Sequence, residues 1–232
     1  MSVPALETGP MTDEVLEGIF ASDQDMYPAP LTWDRLRSWT RAAPELATCF
    51  YLPGSGSGGL GARTLVGAVI ALPIRAPAWR DLLVGKVKET DVDAETMFPS
   101  DGDSGSPEVG LHVFHIERFD VPATLGKVRG FAETSMRVVV TAAEDKGWNI
   151  IGHSALTATP EGRRCFEKMG LESTGYEEYW VASDSADGSG SRGVELVTVS
   201  AGTAPQEFRA PEEAAVRGHA RMLAKHLGPG RQ

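Results

Sequence analysis

Residues 111–146 constrain this chain more than any other stretch. Leu111–Phe119 (LHVFHIERF) is short, apolar and rich in aromatic and β-branched residues, the make-up of a buried strand. Phe131–Lys146 carries Phe131, Met136, Val139, Val140 and Ala143 at helical spacing, and Gly147 stands just past its end as a C-cap. The turn between them holds Gly126, Lys127, Arg129 and Gly130. A strand that enters a helix through glycine and two cations builds an anion site. The first helical N–H groups have no backbone partner, and the helix dipole adds positive potential there. Phosphate is the expected anion.

The next segments extend the pattern. Asn149–Ser154 reads as a second buried strand, and residues 159–171 (TPEGRRCFEKMGL) as a helix that ends in a glycine turn. Lys127-Val128-Arg129-Gly130-Phe131-Ala132 resembles the pyrophosphate loop of the GNAT superfamily of N-acetyltransferases. That loop has Arg or Gln, two residues, Gly, one residue, then Gly or Ala. Lys127 departs from the usual first residue but keeps a donor. The following helix resembles the superfamily's next one, with Thr159 in place of Asn, Gly162 as the small residue and Phe166 where Tyr is usual. The resemblance covers roughly residues 1–200 and is densest over 108–181. It implies an α/β fold with a mixed, mostly antiparallel central sheet and flanking helices. The two central strands, near 109–119 and 149–154, would run parallel and splay apart.

Composition bounds the partners. The chain has 232 residues, 41% hydrophobic and 23% charged, enough for one sizeable core with insertions or tails. A net charge of −10 argues against nucleic acid, whose backbone needs a basic field, and weakly favours cationic or neutral substrates. Cys49 and Cys165 have no framework spacing and read as buried thiols of a reducing compartment. The N-terminal residues lack a secretory pattern, and no apolar stretch reaches membrane-spanning length. The expectation is a cytoplasmic protein, monomer or homodimer, that binds neither nucleic acid nor membrane.

Along the chain, Ser2–Thr8 reads as an opening strand. Thr12 and Thr32 read as N-caps of two helices with apolar faces Val15, Leu16, Ile19, Phe20 and Trp33, Leu36, Trp39. Ala47–Leu52 and Leu65–Pro73 read as strands joined by a glycine-rich hairpin loop that leads into a strand and so offers no phosphate site. Trp79, Leu82 and Leu83 mark a short helix within 75–87. The acidic insert 88–108 should dock Val92, Met97 and Phe98 and leave 100–107 mobile, a substrate lid or plain disorder. Tyr176–Ala182 and Val194–Val199 read as a hairpin around a flexible loop, 183–193. Residues 1–200 would form one domain. In the 201–232 tail, Val216, Ala220, Leu223 and Leu227 predict an amphipathic helix over Pro211–Leu227.

The resemblance implies acetyl transfer from acetyl-CoA (coenzyme A) to the amine of a small-molecule acceptor by direct attack on the thioester. The turn amides of Arg129, Gly130, Phe131 and Ala132 would cradle pyrophosphate, with Lys127 and Arg129 adding charge. The backbone of Ile116–Arg118 would pair with the pantetheine arm, and Thr159 and Phe166 would lie along it. Strand alternation puts His115 and Glu117 on one face and His112 and Arg118 on the other. Glu117 is the first candidate for general base and His115 the second; a salt bridge would equally explain Glu117. His112 reads as a structural histidine, and its offset from His115 makes a His-x-x-His metal site poor. Because Phe166 carries no proton, the leaving thiolate needs another acid: Ser154, Tyr176 or Tyr179. The same absence leaves room for a catalytically weak or inactive CoA-binding regulatory module. The loop after the first helix, with Asp23, Asp25 and Tyr27, would grip a cationic acceptor.

Overall fold

The structure is a computed structural model that describes residues 6–26, 31–54, 63–100, 102–103, 105–121, 128–186, 192–200, 211 and 215–228. Its strands are β1 (Glu7–Pro10), β2 (Ala47–Leu52), β3 (Thr64–Arg75), β4 (Glu108–Arg118), β5 (Asn149–Thr157), β6 (Glu172–Ala186), β7 (Arg192–Val199) and β8 (Val216–His226). The helices are α1 (Asp13–Met26), α2 (Trp33–Ala42), α3 (Ala76–Leu83), α4 (Ala94–Met97), α5 (Phe131–Asp145) and α6 (Pro160–Lys168). One sheet runs β1-β2-β3-β4-β5-β8-β6-β7. Every pairing is antiparallel except β4 with β5, so the mixed α/β architecture is the one expected. Local sequence sets the helix starts. Thr12 Oγ1 accepts from Val15 N–H at 3.3 Å and Thr32 Oγ1 from Arg35 N–H at 3.2 Å, two of the donors a helix start leaves free. Helix α1 continues through the segment expected to break it, as far as Met26.

Trp79 is the clamp on the parallel pair. Gly110 of β4 and Gly152 of β5 stand opposite each other, and the indole lies across both. A Cβ on Gly110 would come within 2.1 Å of the ring, and one on Gly152 within 2.4 Å. Two strand glycines cost roughly 0.5–1 kcal/mol each. Burying an indole of 150–250 Å² stabilises by roughly 4–6 kcal/mol, so the seat is favourable on balance. On the opposite sheet face, the Phe131 ring of α5 fills the space over Gly67 and meets Phe50 edge-on at 5.2 Å.

The register corrects the strand alternation. Ala71 pairs with Val113 and Ile70 with His115, so Phe114 is an extra residue, a β-bulge. The bulge reverses the parity. His112, His115 and Glu117 stand opposite Leu72, Ile70 and Ala68 and share one face, while Ile116 and Arg118 share the other. The argument that His112 and His115 point apart therefore does not hold.

The C-terminal helix is also corrected: Val216–His226 is a strand inserted between β5 and β6. Ala220, Met222, Leu223 and Ala224 are buried on both faces, and a doubly buried run has no clean two-residue alternation. The opening strand begins at Glu7, with residues 1–5 outside the described ones. In the acidic insert Val92 and Phe98 are buried and Met97 packs on the core as expected. Asp103, in the part expected to be mobile, pairs with Arg75 at 2.7 Å. The glycine-rich segment 55–62 and most of the loop 183–193 lie outside the described residues or have undescribed side chains. No helix among the described residues is long and apolar enough to cross a membrane.

Candidate functional site

Pairing of β4 with β5 ends at Val113 and Ala155. Past that point β4 stays with β3, and β5 stays with β8. The edge of β4 over 114–118 that faced β5 then has no strand partner among the described residues. Its N–H and C=O groups look into a cavity of about 240 Å³, walled by β4 and β5, with Asp23 of α1 at one side and Thr159, Gly162 and Phe166 of α6 at the other. An unpaired strand edge beside a cavity is a template for an extended polar ligand.

His115, Ile116 and Glu117 all line this wedge. Glu117 is half exposed and His115 is buried. His115 Nε2 lies 3.3 Å from Glu117 Oε2, off the direction of a hydrogen bond, so the nitrogen has no hydrogen-bond partner. The two groups read as general-base candidates are therefore adjacent. Asp23, 7% exposed, accepts no hydrogen bond from any described residue. Burial first, and Glu89 second, push its carboxyl up to about 7, with His115 pulling it back. The side chains of Asp25 and Tyr27 lie outside the described residues.

The phosphate turn is part of the same edge. Gly130 has φ +61°, a left-handed conformation that glycine adopts without strain, and it starts α5 with no side-chain cap. The first backbone bond of the helix runs from Thr134 N–H to Gly130 C=O, so the amides of Phe131, Ala132 and Glu133 precede it. Arg129 is exposed beside them. Arg118 reaches from the strand to Val128 C=O at 3.4 Å and ties the turn to β4. The Phe131 side chain is packed into the core, leaving only its backbone for a ligand. Glu133, in the first turn, adds a negative charge that opposes phosphate. Lys127 lies outside the described residues.

Ser154 is a correction. It is fully buried away from the wedge lining, where its Oγ meets Trp79 Nε1 at 2.8 Å and His112 Nδ1 at 2.9 Å. His112 Nε2 in turn meets Glu89 Oε1 at 2.7 Å. Burial pushes His112 down to about 3, so this is a hydrogen bond of a neutral ring, and the structural reading of His112 holds. Neither tyrosine replaces the missing acid. Tyr176 is buried and donates to Glu178, and Tyr179 donates to Glu177 at 2.6 Å and is pushed up to about 12 by burial and that carboxylate. Phe166 lines the wedge, as does Thr159, whose Oγ1 caps α6 by accepting from Gly162 N–H at 3.0 Å. The residues the sequence reading missed are Glu89 and the glycine pair under Trp79. An acidic insert and isolated glycines carry no periodic signal.

No protein-family model matches the chain, and a search of curated proteins finds no match. Solved structures do match. Arabidopsis thaliana NAA60, solved with a bisubstrate analogue, superposes with a TM-score of 0.50 at 10% identity, over 97% of this chain and 100% of that one. A mosquito arylalkylamine N-acetyltransferase-like protein and a Drosophila melanogaster polyamine N-acetyltransferase each give 0.47 at 14% identity, over 96% of this chain and 100% of theirs. The chain has the fold of the GNAT N-acetyltransferases.

Proposed function

We propose that this protein is an acetyl-CoA-dependent N-acetyltransferase that acts on the amine of a small molecule. The observation that carries the reading is the parting of β4 and β5 after Val113 and Ala155, which opens a strand edge that leads to the N-terminus of α5. The residues present fit the cofactor. The open edge over Ile116–Arg118 matches an amide-bearing arm, and the amides after the left-handed Gly130, with Arg129, match a pyrophosphate. When bound, acetyl-CoA supplies the activated acetyl group.

The chain's own residues account for the remaining demands. An alkylamine has a pKa of about 10.4 and arrives protonated. Glu117, half exposed in the wedge and backed by His115, receives that proton. The neighbouring edge amides of β4 point where negative charge would develop on a carbonyl oxygen. Among the described wall residues none is a tyrosine, so departure of the thiolate relies on solvent.

Titration calorimetry with acetyl-CoA tests the assignment, on the wild type and on a Lys127→Ala, Arg129→Ala double variant. Binding weakened by about tenfold or more in the variant is expected, since each lost charge-assisted contact counts for that much. No heat in the wild type, or equal affinities, would sink the reading. Phe166, together with Glu133 beside the turn, favours a second reading, a CoA-binding regulatory module. Coenzyme A release measured across amines, amino acids, polyamines, aminoglycosides and peptides separates the two. Turnover with any amine excludes the inert module, and binding without turnover across the panel favours it.

A further inference from the structure

A second, smaller cavity adjoins the wedge. It measures about 30 Å³ and shares Asp23, Phe114 and Leu156 with the wedge as walls; Lys88, Glu89, Glu178 and Trp180 line the rest. This is room for one or two water-sized groups, enough for an ammonium head but not a ring. Three carboxyl groups and one ammonium face it. Lys88 is already engaged. Its Nζ bonds Gly85 C=O at 3.1 Å and Tyr176 OH at 2.9 Å and balances Glu178, to which Tyr176 also donates. Asp91, on the exposed side of the insert, only adds negative potential.

Among the described residues, Glu89 and Asp23 have no cation beside them, and burial raises both carboxyls above their ordinary range. The chain of hydrogen bonds that anchors Glu89 starts at Trp79, whose indole N–H can only donate. Ser154 Oγ accepts from Trp79 and pairs with His112 Nδ1. His112 Nε2 in turn pairs with Glu89 Oε1. Trp79, Ser154 and His112 anchor one oxygen of Glu89, and none of the three supplies a positive charge, because His112 is neutral. Asp23 is more exceptional: more than nine-tenths buried, it faces both cavities with no described donor to it. Burying a carboxyl without a partner is costly unless a ligand completes it.

We propose that Asp23 and Glu89 form a recognition site for the second positive charge of a short aliphatic diamine, whose first amine lies in the wedge by Glu117. The inference rests on the acetyltransferase reading and deepens it by naming the acceptor class. The Trp79–Ser154–His112 chain positions Glu89 and takes no part in proton transfer. One ammonium at the thioester end leaves Asp23 and Glu89 without a counter-charge, and a second cation in the small cavity favours the ionised form of both. Its size limits the far end of the acceptor to an unbranched amine.

Calorimetric titration of tetramethylenediamine against n-butylamine tests this, with the protein free and with coenzyme A present. The probes differ by one terminal amine. The diamine should bind about tenfold or more tighter, the range for a charge-assisted hydrogen bond in a closed site. Glu89→Gln keeps a group that can pair with His112 Nε2 and should bring the two amines within about twofold, with the coenzyme A heat unchanged. Asp23→Asn should do the same and guards against a Glu89 variant that does not fold. Equal affinity of the two amines for the wild type overturns the proposal, as does a preference that survives both substitutions. Coenzyme A heat with no diamine preference rejects this inference alone; a chain that binds no coenzyme A in the same titrations rejects the reading beneath it.

Discussion

Asp23→Asn should make the protein more stable at neutral and alkaline pH, and not at acid pH. Burial and the neighbouring Glu89 raise the Asp23 carboxyl from 3.8 to about 7. Between those two values the folded chain keeps a proton that the unfolded chain has released. Wild-type stability therefore falls as pH rises through that window and levels off above it. Asparagine has no such proton to give up. At 1.36 kcal/mol for each tenfold change in proton affinity, the full span corresponds to about 4 kcal/mol. Urea unfolding of both proteins, followed by tryptophan fluorescence, should give curves that nearly coincide at about pH 4. At about pH 8 the variant should be more stable, by about 2–4 kcal/mol. A difference that is the same at both pH values would refute the reasoning, as would a wild type more stable at the higher one. Stabilisation on removing a buried carboxyl is the mark of a group kept for a ligand rather than for the fold.

Glu117→Gln keeps the size of the side chain and removes the base. It should lower turnover at neutral pH by about 10²–10⁴-fold and recover partly as pH rises, and an unchanged pH–rate profile would move the role to His115 or solvent. Phe166→Tyr should be neutral or mildly activating in the same assay. Gly110→Ala places a methyl group 2.1 Å from the Trp79 ring and should destabilise by about 1–3 kcal/mol or more, read as a lower Tm; a Tm equal to wild type would mean the indole seat is looser than described.

Much of this architecture was legible because it is local. The caps Thr12 and Thr32, the strand Ala47–Leu52 and the turn into α5 are written in short windows where side chain and backbone answer each other directly. What escaped depends on distant partners. Residues 216–226 are built from good helix formers such as Ala, Arg, Met, Leu and Lys, and become a strand only because β5 and β6 offer open edges on both sides. Glu89 lies in an acidic stretch that reads as solvated. Its meaning comes from His112 and Ser154, which lie 23 and 65 positions further along the chain.

The bulge at Phe114 is the detail on which the site turns, and no residue in the strand announces it. Phe114 has ordinary strand propensity, and the ring rests edge-on against Trp39 of α2 at 5.2 Å. Without the extra residue the two sets would exchange faces: His115 and Glu117 would look toward α5, and Arg118 away from the turn at Val128. With it, His115 and Glu117 share the face of His112. Arg118 looks toward α5 and holds the anion turn, while His115 and Glu117 look toward α1 and Asp23. On the proposed reading, the donor's phosphates and the acceptor's charges lie on opposite faces and approach each other at the gap where β4 leaves β5. Asp23, Glu89 and Glu178 gather at the proposed acceptor's side, while Glu133 is the acidic residue in the first turn of α5.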